Sequence, residues 1–417
     1  MRFKAFIGAA VGAAFLSSAA MADTTVHVLH LQDVGPIVDL WTQIVKDYNA
    51  ANPGSKVELQ YLENEALKAK LPTLLQSNDR PDLFHSWGGG VMRAQIAAGF
   101  IGDMTADSAA LEKELSPGAA NAFKVDGKVV GAPFDVSEVS FFYNKALFAK
   151  AGVKGEDIKT WDDFLGAVKK LKTAGITPII CGGGDKWPMH FYWSYLVLRA
   201  GGADILAQAQ AAKDGFKGPA FVEAGKRLKE LAALNPFQDG YLGATWPQAA
   251  GLWGDGKGAI QLMGNWITGA QQSNAADKKG LSNDNIGVFQ FPTLPGGKGE
   301  ATITLGGVDG FLISKSAPVK DSVKFLTFFS QPKYQSIAAA KGLYIPAAAG
   351  TTDAITDPVM KQVADAIAHS TKHQLFFDQD LGPSVGRVVN DSSVAIAAGE
   401  MSPEDGAAAV QKAWDEK

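Results

Sequence analysis

The sequence predicts an α/β fold of two units, each with a sheet flanked by helices. Short apolar strand segments alternate with amphipathic helical segments from residue 26, and the alternation starts again near residue 139. The chain has 417 residues, enough for two or three structural units with substantial cores. We therefore expect two α/β units joined by several crossing strands rather than one large sheet.

The first unit follows a strand–helix–strand–helix–strand order. Residues 26–31 form a short apolar run, and the apolar positions then recur at helical spacing as far as Asn52. Residues 57–61 alternate between apolar and polar side chains, as a half-buried strand does, and a second helical pattern follows. Residues 82–85 form a third strand that leads into Trp87 and three glycines. This order predicts a mostly parallel sheet.

The second unit repeats this alternation. Residues 139–143 predict a strand, and Thr160 with Asp163 resembles a capping box that begins an amphipathic helix. Ser402 is placed to begin a last helix that ends near Trp414. Four further strands are predicted at residues 176–180, 259–263, 286–291 and 311–314.

The first 22 residues have the pattern of a secretory signal peptide. Arg2 and Lys4 supply positive charge, and residues 5–16 form an apolar run shorter than the roughly 20 residues that span a bilayer. Small residues at 20 and 22 match a cleavage site, so we expect processing between Ala22 and Asp23. The alternative is an uncleaved N-terminal anchor. After processing we expect a soluble monomer with no stable membrane insertion.

Composition excludes several classes of protein. Cys181 is the single cysteine, so no internal disulfide can form and stability must come from a core. No cysteine lies directly after the predicted cleavage site, which argues against a lipid anchor. The formal net charge is −4 and no basic run is present, so we expect no nucleic-acid partner. The chain has nine tryptophans, which offer flat apolar faces to a ligand.

Several segments carry a family resemblance by their order and spacing. They are Pro81-Asp82-Leu83-Phe84 with the aromatic residue and glycines that follow, residues 138–145 (EVSFFYNK), residues 257–266, residues 289–295, and Gly306-Gly307 followed by residues 310–313. Together these segments resemble the sugar-binding proteins of bacterial ABC importers, the class that includes maltose-binding proteins. The resemblance covers nearly the whole mature chain.

The resemblance implies a two-lobed periplasmic-binding-protein fold with a multi-strand hinge. Lobe 1 would be residues 23–134 plus 304–346, and lobe 2 would be residues 135–303 plus 347–417. A sugar would bind in the cleft, and the lobes would close on it. The partners implied are the sugar and the permease and ATPase of an ABC importer in the inner membrane. The location implied is the periplasm, with no cofactor and no catalysis.

Three tryptophans are candidates for stacking on a sugar. Trp87 follows a strand, Trp187 follows a glycine-rich turn, and Trp266 follows a strand at a position that the family uses. Core packing is the alternative for each. Three stacking faces favour a di- or oligosaccharide over a monosaccharide. Of the others, Trp41, Trp161 and Trp414 are expected in the core, and Trp193, Trp246 and Trp253 are left undecided.

Polar groups at strand ends and crossings are candidates for binding sugar hydroxyls, which both donate and accept hydrogen bonds. A solvated surface role is the alternative for each. The chain also has Gly88-Gly89-Gly90 where some relatives have a carboxylate, which argues against assuming maltose. The candidates are Gln32, Asp33, Asp135, Ser137, Glu138, Asp185, Asn265, Gly307, Asp309, Asp378, Gln379 and Arg387.

Two other functions were weighed. An exported glycoside hydrolase or lyase would need two carboxylates flanking one bond, and no catalytic motif is present. Asp365, His369 and His373 are spaced so that a helix would align them as metal ligands, but a solvated helix face explains the spacing as well. We therefore predict no metal site.

Overall fold

The computed structural model describes residues 24–417. The signal-peptide prediction, with its cleavage site between Ala22 and Asp23, lies outside these residues. None of the helices within residues 24–417 is long and apolar enough to cross a membrane.

Strands account for the crossings between the two halves of the chain. The described residues contain β1 (Thr24–His30), β2 (Ser55–Tyr61), β3 (Leu83–Ser86), β4 (Lys124–Val125), β5 (Lys128–Val129), β6 (Gly131–Asn144), β7 (Ile260–Gly264), β8 (Ile286–Phe289), β9 (Ile303–Ile313) and β10 (Lys372–Leu375).

Helices flank these strands throughout. They are α1 (Gly35–Ala51), α2 (Asn64–Leu74), α3 (Gly89–Ala97), α4 (Ala109–Glu114), α5 (Pro117–Asn121), α6 (Lys145–Lys150), α7 (Trp161–Thr173), α8 (Trp187–Gly201), α9 (Ile205–Ala211), α10 (Pro219–Ala233), α11 (Trp246–Gly254), α12 (Ile267–Asn274), α13 (Val319–Phe329), α14 (Pro332–Ala340), α15 (Pro358–Ala368), α16 (Phe377–Asp380), α17 (Pro383–Ala397) and α18 (Pro403–Asp415).

Eight of the strands in the described residues form one hydrogen-bonded sheet. Their order is β2-β1-β3-β9-β6-β7, with β10 beside β9 and β8 beside β6. β1 runs parallel to both β2 and β3, as the sequence predicts for the first unit. β9 runs antiparallel to β3 and to β6. The long strands β6 and β9 pass from one half of the chain to the other and connect the two groups of strands, as the expected crossing strands should.

The hydrophobic core is nevertheless divided into two clusters. One cluster contains buried residues from Val26 to Phe134 and from Val308 to Ala347. The other contains buried residues from Val139 to Leu305 and most of the C-terminal residues to Val410. Cluster membership changes along β6 and β9, so these two strands cross between the cores. The two clusters support the division into two lobes, whose boundaries stay a prediction.

Local sequence signals explain most elements. Thr160 and Asp163 form the predicted capping box at the start of α7, and Ser402 accepts a hydrogen bond from the Asp405 amide at the start of α18. The strand predicted at residues 176–180 is reduced to an isolated bridge at Ile179, because Pro178 has no amide hydrogen for a ladder. β10 was not predicted.

Candidate functional site

A cleft lies between the two cores. Its inner cavity has a volume of about 110 Å³ and is lined from one side by residues such as Trp87 and Tyr344, and from the other by Trp187 and Phe376. An outer chamber of about 780 Å³ adjoins it and shares several of the same lining residues. The crossing strands β6 and β9 contribute to the inner lining, so the cavity lies where the two halves of the chain meet.

Loops that directly follow strands deliver part of the lining. Gln32 and Asp33 follow β1, and Trp87 follows β3 at the same edge of the parallel strands. Asn265 and Trp266 follow β7. A parallel sheet places the carboxyl ends of its strands together, where the chain turns into loops, and such edges are common ligand sites.

Aromatic rings form one wall of the inner cavity. The partly buried ring of Trp266 has its centroid 6.4 Å from that of Trp187, 6.5 Å from that of Phe191 and 6.1 Å from that of Phe376. Trp246 adds a further ring, 5.9 Å from Trp187. These faces suit the C–H surfaces of a sugar ring.

The glycine run before Trp187 explains how Trp246 joins this wall. A Cβ on Gly182 would lie 2.7 Å from the Trp246 Cα, and a Cβ on Gly183 would lie 2.8 Å from the Tyr241 carbonyl oxygen. Glycine therefore permits the segment before α11 to pack closely. The Asp185 carboxylate completes the contact, since it accepts a hydrogen bond of 2.7 Å from the Trp246 amide.

Two carboxyls lie side by side on the crossing strands. Asp135 on β6 is the direct cross-strand partner of Asp309 on β9, and both line the inner cavity. The Asp135 Oδ1 accepts a hydrogen bond of 3.1 Å from the Ile345 amide. Burial raises the pKa of Asp135 to about 7. Burial and the neighbouring Asp135 raise the pKa of Asp309 well above its usual value.

His190 lines the inner cavity and is 1% exposed. Its Nδ1 is 2.6 Å from the Trp187 carbonyl oxygen, which can only accept, so Nδ1 carries the hydrogen. Burial lowers the pKa of His190, against the opposing effect of Asp378. The neutral ring therefore presents Nε2 as an acceptor, and this atom has no hydrogen-bond partner within residues 24–417.

Helix α2 reaches across the mouth of the cleft. The indole nitrogen of Trp187 donates a hydrogen bond of 3.1 Å to Glu65 Oε1, and Lys68 pairs with the same oxygen at 3.1 Å. The Lys68 ammonium also lies 5.4 Å from the ring centroids of both Trp87 and Trp187. These contacts join helix α2 of the first core to the start of α8 in the second.

The structure brings ten of the fifteen candidate residues to the inner cavity. Two more, Asp185 and Arg387, line the outer chamber only, and Asp185 is already engaged by Trp246. The ten are Gln32, Asp33, Trp87, Asp135, Trp187, Asn265, Trp266, Asp309, Asp378 and Gln379.

The remaining three candidates lie away from the cavity. Ser137 is fully buried and its hydroxyl donates to the Gly307 carbonyl oxygen at 3.4 Å. Glu138 is also fully buried, and the side-chain alternation along β6 places it on the opposite face from Asp135 and Ser137. Gly307 has no side chain to bind a ligand, and there is no space for one, since a Cβ there would lie 2.5 Å from the Phe376 ring. Gly307 therefore makes room for Phe376, which does line the cavity.

Burial gives Glu138 a different role. It raises the pKa of Glu138 to about 8, with Arg199 acting in the opposite direction. Arg199 is itself buried and donates to the carbonyl oxygens of Phe291 at 2.9 Å and Ile303 at 3.0 Å. These groups stabilise the second core and do not face the ligand cavity.

The three glycines after Trp87 serve packing. Gly88 and Gly89 have positive φ of 68° and 63°, and a Cβ on Gly90 would lie 2.3 Å from the Asp380 carbonyl oxygen. Arg93 binds the same carbonyl oxygen at 3.0 Å and the Asp380 carboxylate at 3.0 Å. The glycine run thus allows α3 to pack against α16.

The histidine spacing considered for metal binding does not lie on one helix. Helix α15 ends at Ala368, and His373 belongs to β10, where its Nδ1 contacts the Thr304 hydroxyl at 2.9 Å. His369 Nδ1 is 2.8 Å from the Asp365 carbonyl oxygen. Residues 24–417 contain no group of three or more metal-ligating side chains that could hold an ion.

Several lining residues were not among the sequence candidates. Lys68 and Asn64 lie on α2, and His190 and Phe191 lie on α8. A position within a helix does not by itself predict that a side chain lines a cavity. Trp246, which was left undecided, and Phe376 also line the cavity.

The fold and the cleft define a class of protein. Two α/β cores joined by crossing strands, with a cavity of aromatic faces and polar groups between them, form a ligand-capturing protein. The sequence model for the bacterial extracellular solute-binding protein family matches residues 35–336. The chain belongs to this family.

Individual relatives agree with this assignment. The chain is 29% identical over 262 residues to an uncharacterized ABC transporter extracellular-binding protein of Pyrococcus horikoshii, and the match covers 59% of each chain. It is 24% identical over 311 residues to the multiple sugar-binding protein of Streptococcus mutans, covering 72% of this chain and 69% of that one. The solved structure of a chitin oligosaccharide binding protein superposes with a TM-score of 0.84 at 26% identity, covering 94% of this chain and 98% of that chain. The expected two-lobed α/β fold is confirmed.

Proposed function

We propose that this protein is the substrate-binding component of an ABC importer and captures a sugar in the cleft between its two cores. The observation that carries the proposal is the composition of the inner cavity. Tryptophan and phenylalanine rings form one wall, and carboxylates and amides delivered by strand ends face the same space. The ring faces of a sugar stack on the aromatic rings, and its hydroxyls donate hydrogen bonds to the carboxylates and amides.

The comparisons add support for a sugar. The Streptococcus mutans relative is named a multiple sugar-binding protein, and the structural relative is named a chitin oligosaccharide binding protein. The outer chamber of about 780 Å³ adjoining the inner cavity provides space for further rings, which favours a di- or oligosaccharide over a monosaccharide.

The cycle proposed follows from this arrangement. Residues 23–134 with 304–346 would move against residues 135–303 with 347–417 about the crossing strands and bury the sugar. The closed form would present surfaces of both lobes to a permease that works with an ATPase. The N-terminal pattern supports export to the periplasm after cleavage of the signal peptide. The protein would bind its ligand without chemical change.

A thermal-shift screen across mono-, di- and trisaccharides tests the proposal. A ligand present at 100 times its dissociation constant stabilises the folded state by about 2.7 kcal/mol. We expect at least one sugar to raise the melting temperature, and chromatography of the same mixture to return the sugar unaltered. A panel without any stabilising sugar would contradict the binding function, and a hydrolysed product would favour the glycosidase alternative.

A further inference from the structure

The floor of the inner cavity holds two acidic groups at adjacent positions. Asp135 and Asp309 are opposite one another in the antiparallel ladder of β6 and β9, so their side chains project from the same face. Like charges in directly opposed positions destabilise a sheet. Two carboxyls in this arrangement therefore need a group that offsets their charge.

The described residues supply no such group. The ion pairs of residues 24–417 include neither Asp135 nor Asp309. The Asp135 carboxyl accepts from backbone amides, among them that of Ile345 at 3.1 Å, but no cationic side chain pairs with it. The Oδ1 of Asp309 is buried and has no hydrogen-bond partner among the described residues.

An independent group in the same cavity has the same requirement. His190 is 1% exposed, and its Nδ1 carries the hydrogen that faces the Trp187 carbonyl oxygen. Burial lowers the pKa of His190 and favours the neutral ring, in which Nε2 is an acceptor, and this atom has no hydrogen-bond partner among the described residues. The nearest charged group to Nε2 is the Asp378 Oδ1 at 3.6 Å, which is also an acceptor. The Asp309 Oδ1 on β9 and the His190 Nε2 on α8 therefore both lack a hydrogen-bond donor among the described residues.

The residues that line the cavity include more acidic than basic side chains. Asp33, Asp135, Asp309 and Asp378 line it, and Lys68 is the single lysine or arginine among its lining residues within the described part of the chain. Lys68 is engaged at the mouth by Glu65, at 3.1 Å. A ligand group at the floor therefore meets carboxyl oxygens with no protein cation beside them.

We propose that the sugar ring entering the inner cavity carries a protonated amine, which Asp135 and Asp309 bind together. This inference rests on the proposed function and names its substrate class. An ammonium group offers three donors and a positive charge, and charge-assisted hydrogen bonds are roughly twice as strong as neutral ones. A ring hydroxyl in that place satisfies one acceptor without offsetting the charge. A ring carboxylate or phosphate adds acceptors and like charge, so the cleft rejects anionic sugars.

A shared proton between the two carboxyls is the competing explanation. It also offsets their charge, but it gives an amine no advantage over a hydroxyl. The two explanations therefore differ in the ligand preference that they predict.

Matched sugar series distinguish them. Glucosamine, glucose and glucuronate, and the corresponding galactose series, are titrated calorimetrically as monosaccharides and as disaccharides, at about pH 6.5 where the amine is protonated. We expect the amine-bearing member of the best-binding series to bind about tenfold more tightly than the neutral one, a difference of about 1.4 kcal/mol. We expect no detectable binding of the anionic member.

Asp309→Asn keeps the size of the side chain and removes its charge. It should reduce the ratio of amine to neutral affinity from about tenfold to about one. Asp353→Asn, at an exposed position outside the cavity lining, changes the net charge equally and should leave the ratio unchanged.

The proposal is overturned if the neutral member of every series binds at least as tightly as the amine, or if Asp309→Asn preserves the ratio. In either case a sugar still binds, so the proposed function stands. If no member of any series binds, and the wider panel also fails, both proposals fail.

Discussion

Trp266 is the residue whose substitution most sharply separates a ligand-binding role from a structural one. It follows β7, is partly buried, and lines the inner cavity. Its ring centroid lies 6.1–6.5 Å from those of its nearest aromatic neighbours. These distances lie within the range of ring contact, and the partial burial of Trp266 leaves part of its ring free to contact a ligand.

The magnitudes follow from this position. Stacking of a sugar on the indole should contribute on the order of 1–3 kcal/mol through buried apolar area, so Trp266→Ala should weaken sugar binding by about ten- to a hundredfold. A fully buried tryptophan loses about 3–5 kcal/mol of folding stability on truncation. A partly exposed one should lose about half of that.

Calorimetric titration and denaturant unfolding of the same variant measure both quantities. Trp414→Ala is the matched control, because Trp414 is also partly buried but packs 5.5 Å from Phe216, away from the cavity. This control should lose similar stability and keep its affinity. Unchanged affinity in Trp266→Ala, together with a stability loss of about 3–5 kcal/mol, would refute the stacking role and assign Trp266 to the core.

Three further predictions concern charged groups. Glu138→Gln should leave sugar affinity unchanged within about twofold, since its side chain is buried on the opposite face of β6; calorimetric weakening of tenfold or more would contradict that placement. Because burial raises the pKa of Asp135 to about 7, the ligand-free protein should lose stability as pH rises from about 4 to about 7. Asp309→Asn should reduce that loss, measured by urea unfolding. Equal pH profiles of stability in the wild type and the variant would contradict the coupling of the two carboxyls. Glu65→Ala removes the acceptor of the Trp187 indole and should weaken sugar binding by about tenfold through faster dissociation. Glu65→Gln keeps an acceptor and should bind the sugar more nearly as the wild type does. Equal stopped-flow dissociation rates in all three proteins would exclude a role for this contact.

Local pattern was enough to predict much of the fold. The strands β1, β2, β3 and β7 and the helices α7 and α18 were expected within a few residues, because their periodicity and capping residues are local properties. Strands crossing between the two cores were expected, but the pairing of β6 with β9 was not predicted. It depends on the pairing of residues far apart in sequence, such as Asp135 with Asp309. β10 was not predicted, because its His373 has helical spacing from His369 and Asp365 and so suggested a helix.

The cavity lining was predictable where chain position decides it. Residues directly after strands, such as Asp33, Trp87 and Trp266, were singled out and do line the cavity. Glu138 was also a candidate but does not line the cavity, because its proximity to a crossing does not determine which face of β6 it occupies. His190 was missed, because a histidine within an apolar helix carries no sequence signal that it faces a cavity.

The most direct test of the central claim is a crystal structure of the protein with the sugar that gives the largest thermal shift. We expect one ring of that sugar in the inner cavity, stacked on Trp266 and within hydrogen-bond distance of the Asp309 carboxyl. Ligand density at another surface, with the inner cavity filled by water alone, would contradict the claim that this cleft is the sugar-binding site.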